Sequence, residues 1–131
     1  MTDFQAALGY RQILSYNQNL KRRHKIAKRY IKNFSKFKLI KYMPYSSNSS
    51  YFIFQIFCKN RDLLLKHLKS KNIGVSVHYN KPVPEMTYYK KKYNLKKQNF
   101  KNSYHYGKTN ISLPIYPKLK NFEIDLISKT I

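Results

Sequence analysis

The run Tyr51-Phe52-Ile53-Phe54-Gln55-Ile56-Phe57-Cys58 constrains the fold more than any other stretch of the chain. Aromatic and β-branched residues fill both of its alternating faces. A strand of that kind needs cover on both sides, which places it inside a sheet and not at an edge. The cover has to come from amphipathic helices elsewhere in the chain. With 131 residues there is room for one domain with a real core.

The helices are legible on either side of that strand. Thr2-Asp3-Phe4-Gln5 has the form of a capping box. Phe4, Ala7, Leu8, Ile13 and Leu14 then approximate one helical face, which continues more weakly through Leu20, Ile26, Ala27 and Tyr30. This predicts a long helix over residues 1–32, with a bend near Ser15 to Asn19. Lys38 to Met43 alternates and stops at Pro44, and Ser46 to Ser50 is a turn. Asn60 and Asp62 are caps for a helix from Arg61 to Lys71 that turns Leu64, Leu65 and Leu68 inward. Asn72-Ile73-Gly74 ends it, because Asn and Gly tolerate the left-handed conformation. Val75 to His78 reads as a short strand, and Pro82 and Pro84 extend the loop behind it. Tyr88 to Asn99 carries no firm element. Phe100 to Tyr106 is predicted helical and Ile111 to Leu113 a strand. Asn121 is the expected cap of a last helix that partly buries Phe122, Ile124, Leu126 and Ile127. The predicted class is α+β: a long N-terminal helix, then a small mixed β-sheet with helices packed on it.

The net charge of +22 suggests a polyanion partner, and a small basic nucleic-acid-binding module with tyrosines stacking bases is one reading. Composition offers a plainer one. Lysines outnumber arginines 22 to 5, and Asn, Ile, Tyr and Phe are also abundant. These residues share A/T-rich codons, and base readers favour arginine for its bidentate fork. Drift therefore outweighs a dedicated polyanion site, and nucleic acid is not the expected partner. No run of 18 apolar residues predicts a membrane span, and Asp3 sits where a signal peptide would carry basic charge. A single cysteine, Cys58, suits a reducing cytoplasm and reads as a small apolar residue at a strand end.

Chemistry-bearing constellations are sparse. The five acids are scattered, so no carboxylate pair for proton transfer is expected. His24, His67, His78 and His105 lack metal-ligand spacing, and His67, among lysines, is expected to be exposed. Three glycines make no phosphate loop. No catalytic, metal or cofactor residue is predicted. His78 stands apart, closing Gly74-Val75-Ser76-Val77-His78-Tyr79 at a strand end before a rigid proline loop. Ligands bind where strands give way to loops, though a histidine there can equally serve to anchor the loop.

Several phrases follow one another along the chain: Met1-Thr-Asp-Phe-Gln-Ala-Ala-Leu-Gly9, Lys21-Arg-Arg-His-Lys-Ile-Ala-Lys-Arg-Tyr30, Ser50-Tyr-Phe-Ile-Phe-Gln-Ile56, Arg61-Asp-Leu-Leu-Leu65, Lys71-Asn-Ile-Gly-Val-Ser-Val-His-Tyr79 and Ser112-Leu-Pro-Ile-Tyr-Pro117. In that order, over nearly the whole chain, they resemble the C-terminal part of the DegT/StrS family, pyridoxal-phosphate-dependent aminotransferases of nucleotide-linked keto-sugars. The resemblance implies the C-terminal small domain of a fold type I aminotransferase, with residues 1–32 as linking helix and 38–131 as an α/β sandwich. It implies a parent enzyme with pyridoxal 5'-phosphate, a keto-sugar nucleotide, an amino-acid donor and a homodimer or separately encoded large domain, in cytoplasmic polysaccharide biosynthesis. The Schiff-base lysine segment of such enzymes has no match here, and Met1 falls at what looks like an internal methionine of the family. The expectation is a chain truncated before Met1, inactive alone and holding no cofactor by itself. An exposed lysine, with an ordinary pKa of about 10.4, is mostly protonated and makes a poor substitute. By the same resemblance His78, Tyr79 and Asn80 would face the substrate, and a nearby lysine could meet its diphosphate. Two features differ from many members: Phe52 where a histidine is common, and no second histidine in the loop from Asn80 to Tyr89.

Overall fold

The computed structural model describes residues 1–131. Its elements are α1 (Asp3–Phe34), β1 (Lys41–Tyr42), β2 (Phe54–Phe57), α2 (Arg61–Ser70), α3 (Thr87–Lys92), α4 (Lys101–Thr109), β3 (Asn110–Leu113) and α5 (Asn121–Thr130), with 3-10 turns at Val83–Glu85 and Lys97–Phe100. The strand predicted to be central is central: the sheet order is β1-β2-β3. Both pairings are antiparallel, with Phe54 opposite Leu113 and Ile56 opposite Ile111. The sheet is therefore antiparallel throughout and not mixed. The strand expected over Val75 to His78 reduces to one bridge, Ser76 opposite Ser112. The ladder stops there because the next available donor, the His78 N–H, goes to the Asn110 side-chain oxygen at 3.1 Å.

Alternation along the strands sorts the two faces. Phe54, Ile56, Ile111 and Leu113 are buried in one core with Ile26, Ala27, Tyr30 and Phe34 of α1 and Ile124 and Ile127 of α5. The Tyr30 and Phe54 rings stack at 5.0 Å, and the Tyr30 hydroxyl donates to the Pro114 carbonyl at 3.0 Å. Burial pushes the Tyr30 phenol well above its ordinary pKa. Burying each such side chain stabilises the fold by roughly 1.5–3 kcal/mol. On the opposite face Phe57 meets the Tyr106 ring of α4 edge-on at 4.7 Å. Helices thus lie on both sides of β2, as its apolar faces require.

The capping box of α1 is formed: Gln5 N–H donates to Thr2 Oγ1 at 3.3 Å, and Thr2 N–H donates to Gln5 Oε1 at 3.0 Å. The helix continues unbroken through the region where a bend was expected and beyond residue 32. There Ser15 Oγ bonds back to the carbonyls of Arg11 and Gln12, which satisfies the hydroxyl within the helix. The buried residues of α1 all lie between Ile26 and Phe34. Upstream, Phe4 is 74% and Ile13 73% exposed.

Capping elsewhere differs from expectation. Asn60 makes no side-chain cap bond to α2. At the exit of α2 it is Asn72, at φ +58°, that takes the left-handed conformation, while Gly74 does not. The N-terminus of α5 is closed by Glu123, whose carboxylate accepts from the Lys120 N–H at 2.6 Å. Asn121 instead accepts from Arg22 Nη1 at 3.1 Å, tying α5 to α1. Phe122 and Leu126, expected to be partly buried, point outward.

Candidate functional site

The polar face of β2 and β3 builds the site. Period-2 geometry that sends Ile111 and Leu113 into the core sends Asn110 and Ser112 the other way, beside Gln55 on β2. These three residues hold His78. Gln55 Nε2 donates to the His78 carbonyl at 2.6 Å, and Asn110 Oδ1 accepts from its backbone N–H. The ring Nδ1 lies 2.9 Å from Ser112 Oγ and 3.4 Å from Ser76 Oγ. Both ring contacts use Nδ1, and no hydrogen bond engages Nε2. His78 therefore anchors the loop through its backbone and one edge of its ring.

The rest of the loop is clamped from below. Arg61, at the start of α2, is 7% exposed, and its Nη2 donates to Asn80 Oδ1 at 2.8 Å. Its Nη1 reaches the Gly107 carbonyl at 3.4 Å, and Asp62 Oδ1 lies 2.5 Å from its Nε. A Cβ on Gly107 would stand 2.7 Å from the Asn80 carbonyl oxygen, so the loop seats on α4 only where the side chain is absent. The Asn80 amide nitrogen remains unused. Tyr79 is 71% exposed and packs edge-on against His78 at 5.4 Å. The peptide bond between these two residues is cis.

His78 stands where two grooves meet. One, of about 280 Å³, is bordered by Arg23, Phe52, Ser76, Ser112 and Tyr116. The other, of about 410 Å³, is bordered by Tyr79, Lys81, Met86, Tyr106 and Gly107. A larger cavity of about 940 Å³ opens on the other side of α4, among Lys41, Lys59, Lys97, Lys101 and Lys108, and contains none of the predicted site residues.

The structure brings His78, Tyr79 and Asn80 together on one loop. Sequence reasoning missed the residues that position them: Gln55, Arg61, Gly107, Asn110 and Ser112. A signal existed for Gln55, the lone polar residue in an apolar strand, and for Asn110 and Ser112, which alternate with Ile111 and Leu113. His67 is exposed, as expected. No group of three or more His, Cys, Asp or Glu side chains is arranged to hold a metal ion. Burial pushes the Cys58 thiol up, which favours its unreactive protonated form. A lysine that carries pyridoxal phosphate must be desolvated and aimed. Every one of the 22 lysines is exposed, so these residues do not fit covalent attachment of that cofactor.

The profile of the DegT/DnrJ/EryC1/StrS aminotransferase family matches residues 1–131. The chain is 33% identical over 135 residues to the spore coat polysaccharide biosynthesis protein SpsC of Bacillus subtilis, covering 95% of this chain and 34% of that protein. It is 32% identical over 139 residues to a UDP-4-amino-4,6-dideoxy-N-acetyl-beta-L-altrosamine transaminase of Campylobacter jejuni, covering 100% of this chain and 36% of that one. The PLP form of the putative sugar aminotransferase Spr1654 from Streptococcus pneumoniae superimposes with a TM-score of 0.87 at 30% identity, covering 99% of this chain and 34% of that one. The chain thus spans about a third of the length of the curated relatives it matches. With the family matched over residues 1–131, the chain belongs to the DegT/DnrJ/EryC1/StrS aminotransferase family.

Proposed function

We propose that this chain is the small domain of a pyridoxal-phosphate-dependent aminotransferase acting on a nucleotide-linked keto-sugar, and that it supplies one wall of the substrate site. The carrying observation is the match of residues 1–131 to the family, together with the rigidly held His78-Tyr79-Asn80 loop. In this reading His78 Nε2, the Tyr79 ring and the Asn80 amide face the sugar nucleotide. The cofactor supplies the transfer of nitrogen when bound, and its attachment lysine belongs to the roughly two thirds of the relatives' length outside this match. The exposed apolar face of α1 is where that larger domain packs. The amino donor is an amino acid, the assembly is a homodimer or a pairing with a separately encoded large domain, and the product serves cytoplasmic polysaccharide synthesis. No helix is long and apolar enough to cross a membrane.

A fusion tests the reading. Residues 1–131 replace the matching C-terminal third of the Campylobacter transaminase, and amino transfer from glutamate to a UDP-linked 4-keto sugar is followed. Turnover is expected in the fusion, with His78→Ala lowering kcat/KM about tenfold or more. A folded, cofactor-loaded fusion without turnover would overturn the proposal.

A further inference from the structure

The smaller groove beside His78 contains a charge that nothing in the chain uses. Three arginines inside the fold have oxygen partners. Arg22 bonds to Asn121 and the Leu119 carbonyl, Arg29 to Asp125, and Arg61 to Asn80 and the Gly107 carbonyl. Arg23 is half-buried on α1. Its Nε, like that of Arg61, is buried without a hydrogen-bond partner, but Arg61 Nε has the Asp62 carboxylate beside it at 2.5 Å and Arg23 Nε has no acid near it. A buried donor left unpaired destabilises a fold by about 1–3 kcal/mol, more when charged. Such an orphan calls for an acceptor that arrives from outside.

The groove is suited to provide that acceptor. Its remaining polar lining is Ser76, His78, Ser112 and Tyr116, and no carboxylate borders it. Its volume of about 280 Å³ accommodates the charged end of a ligand and not a whole nucleotide sugar. A guanidinium takes a carboxylate or phosphate through two of its N–H groups together, where a lysine offers only a point charge. We infer that Arg23, with Ser76, Ser112 and His78, forms an oxyanion subsite that takes a carboxylate or phosphate group of the substrate. The inference rests on the proposed function for the ligand's source alone, because anion binding needs no turnover.

The test uses the 131-residue chain, isotope-labelled, with nuclear magnetic resonance read at the Arg23 Nε–H and the His78 ring. L-glutamate, inorganic phosphate and UDP are titrated separately. A saturable shift is expected with glutamate if the group is a carboxylate, or with phosphate and UDP if it is a phosphate. Arg23→Gln should weaken that binding at least tenfold, and Arg23→Lys should restore only part of it. Ser76→Ala, at an exposed position, gives the same reading should the arginine variant unfold. No saturable shift with any of the three, or a shift that these variants leave unchanged, overturns the subsite. Loss of the subsite would leave the aminotransferase proposal standing, since the fusion assay reads turnover independently.

Discussion

Arg61 donates from Nη2 to Asn80 Oδ1 across 2.8 Å, so a buried guanidinium at the start of α2 sets the position of the loop that carries His78. The contact fixes which end of the Asn80 amide is spent and which is presented. It also makes the loop depend on α4, because the same guanidinium reaches the Gly107 carbonyl.

Gly107→Ala isolates that dependence. Glycine inside a helix ordinarily destabilises by up to about 1 kcal/mol relative to alanine. Here the added Cβ would meet the Asn80 carbonyl at 2.7 Å and Pro82 Cδ at 3.2 Å. The expected result is the reverse sign, a loss of about 1–3 kcal/mol from overpacking. Urea unfolding gives the sign, and amide shifts confined to residues 78–82 give the place. A stabilised variant with an unmoved loop would contradict the account.

The core assignment predicts a contrast between two aliphatic residues. Ile111 is fully buried on β3 and Leu126 is 58% exposed on α5. Ile111→Ala should cost about 2–5 kcal/mol. Leu126→Ala should stay within about 0.5 kcal/mol. Equal losses would place α5 in the wrong rotation.

Acid should loosen the joint between α1 and α5. The hydrogen bond from Arg29 holds the Asp125 carboxyl down to about 2, helped by Asn33. Its unfolded value is about 3.9, so the stabilisation is complete above that pH and is lost as pH falls through about 2. The pair is partly exposed, with side-chain exposures of 39% and 34%, so screening keeps the effect small. Denaturation midpoints of the native chain should converge on those of Asp125→Asn between pH 4 and 2. A constant gap between them would show that the carboxyl is not depressed.

The apolar residues along the first half of α1 should make the isolated chain self-associate. Phe4, Leu8, Ile13 and Leu14 are all more than half exposed. Sedimentation should show weight-average mass rising with concentration, and Phe4→Glu with Ile13→Glu should flatten the rise. A concentration-independent monomer would argue that this face needs no partner.

The parts read correctly from sequence are those set by local pattern. The capping box at Thr2 and Gln5, the apolar run around Phe54 and Ile56, and the Leu68 helix each carry their own signal. What was misread depends on partners distant in the chain. Val75 to His78 alternates like a strand, yet Asn110, 32 residues on, takes the His78 N–H and ends the ladder. Asn121 looks like a cap, but Arg22 claims its side chain while Glu123 closes the helix. Tyr88 to Asn99 gave no pattern because α3 is six residues with nothing buried. His78 stands out in the sequence by its place before a proline loop, whereas Arg61 and Gly107 matter only through contacts with Asn80 that no spacing reveals.

The division of labour is tested most directly by incubating the purified 131-residue chain with pyridoxal phosphate, reducing with borohydride and mapping the modified lysines by mass spectrometry. With every lysine exposed, the account predicts scattered, substoichiometric labelling and no amino transfer to a keto-sugar nucleotide. One stoichiometrically labelled lysine, with turnover, would contradict the claim that this chain supplies a wall of the site and not its chemistry.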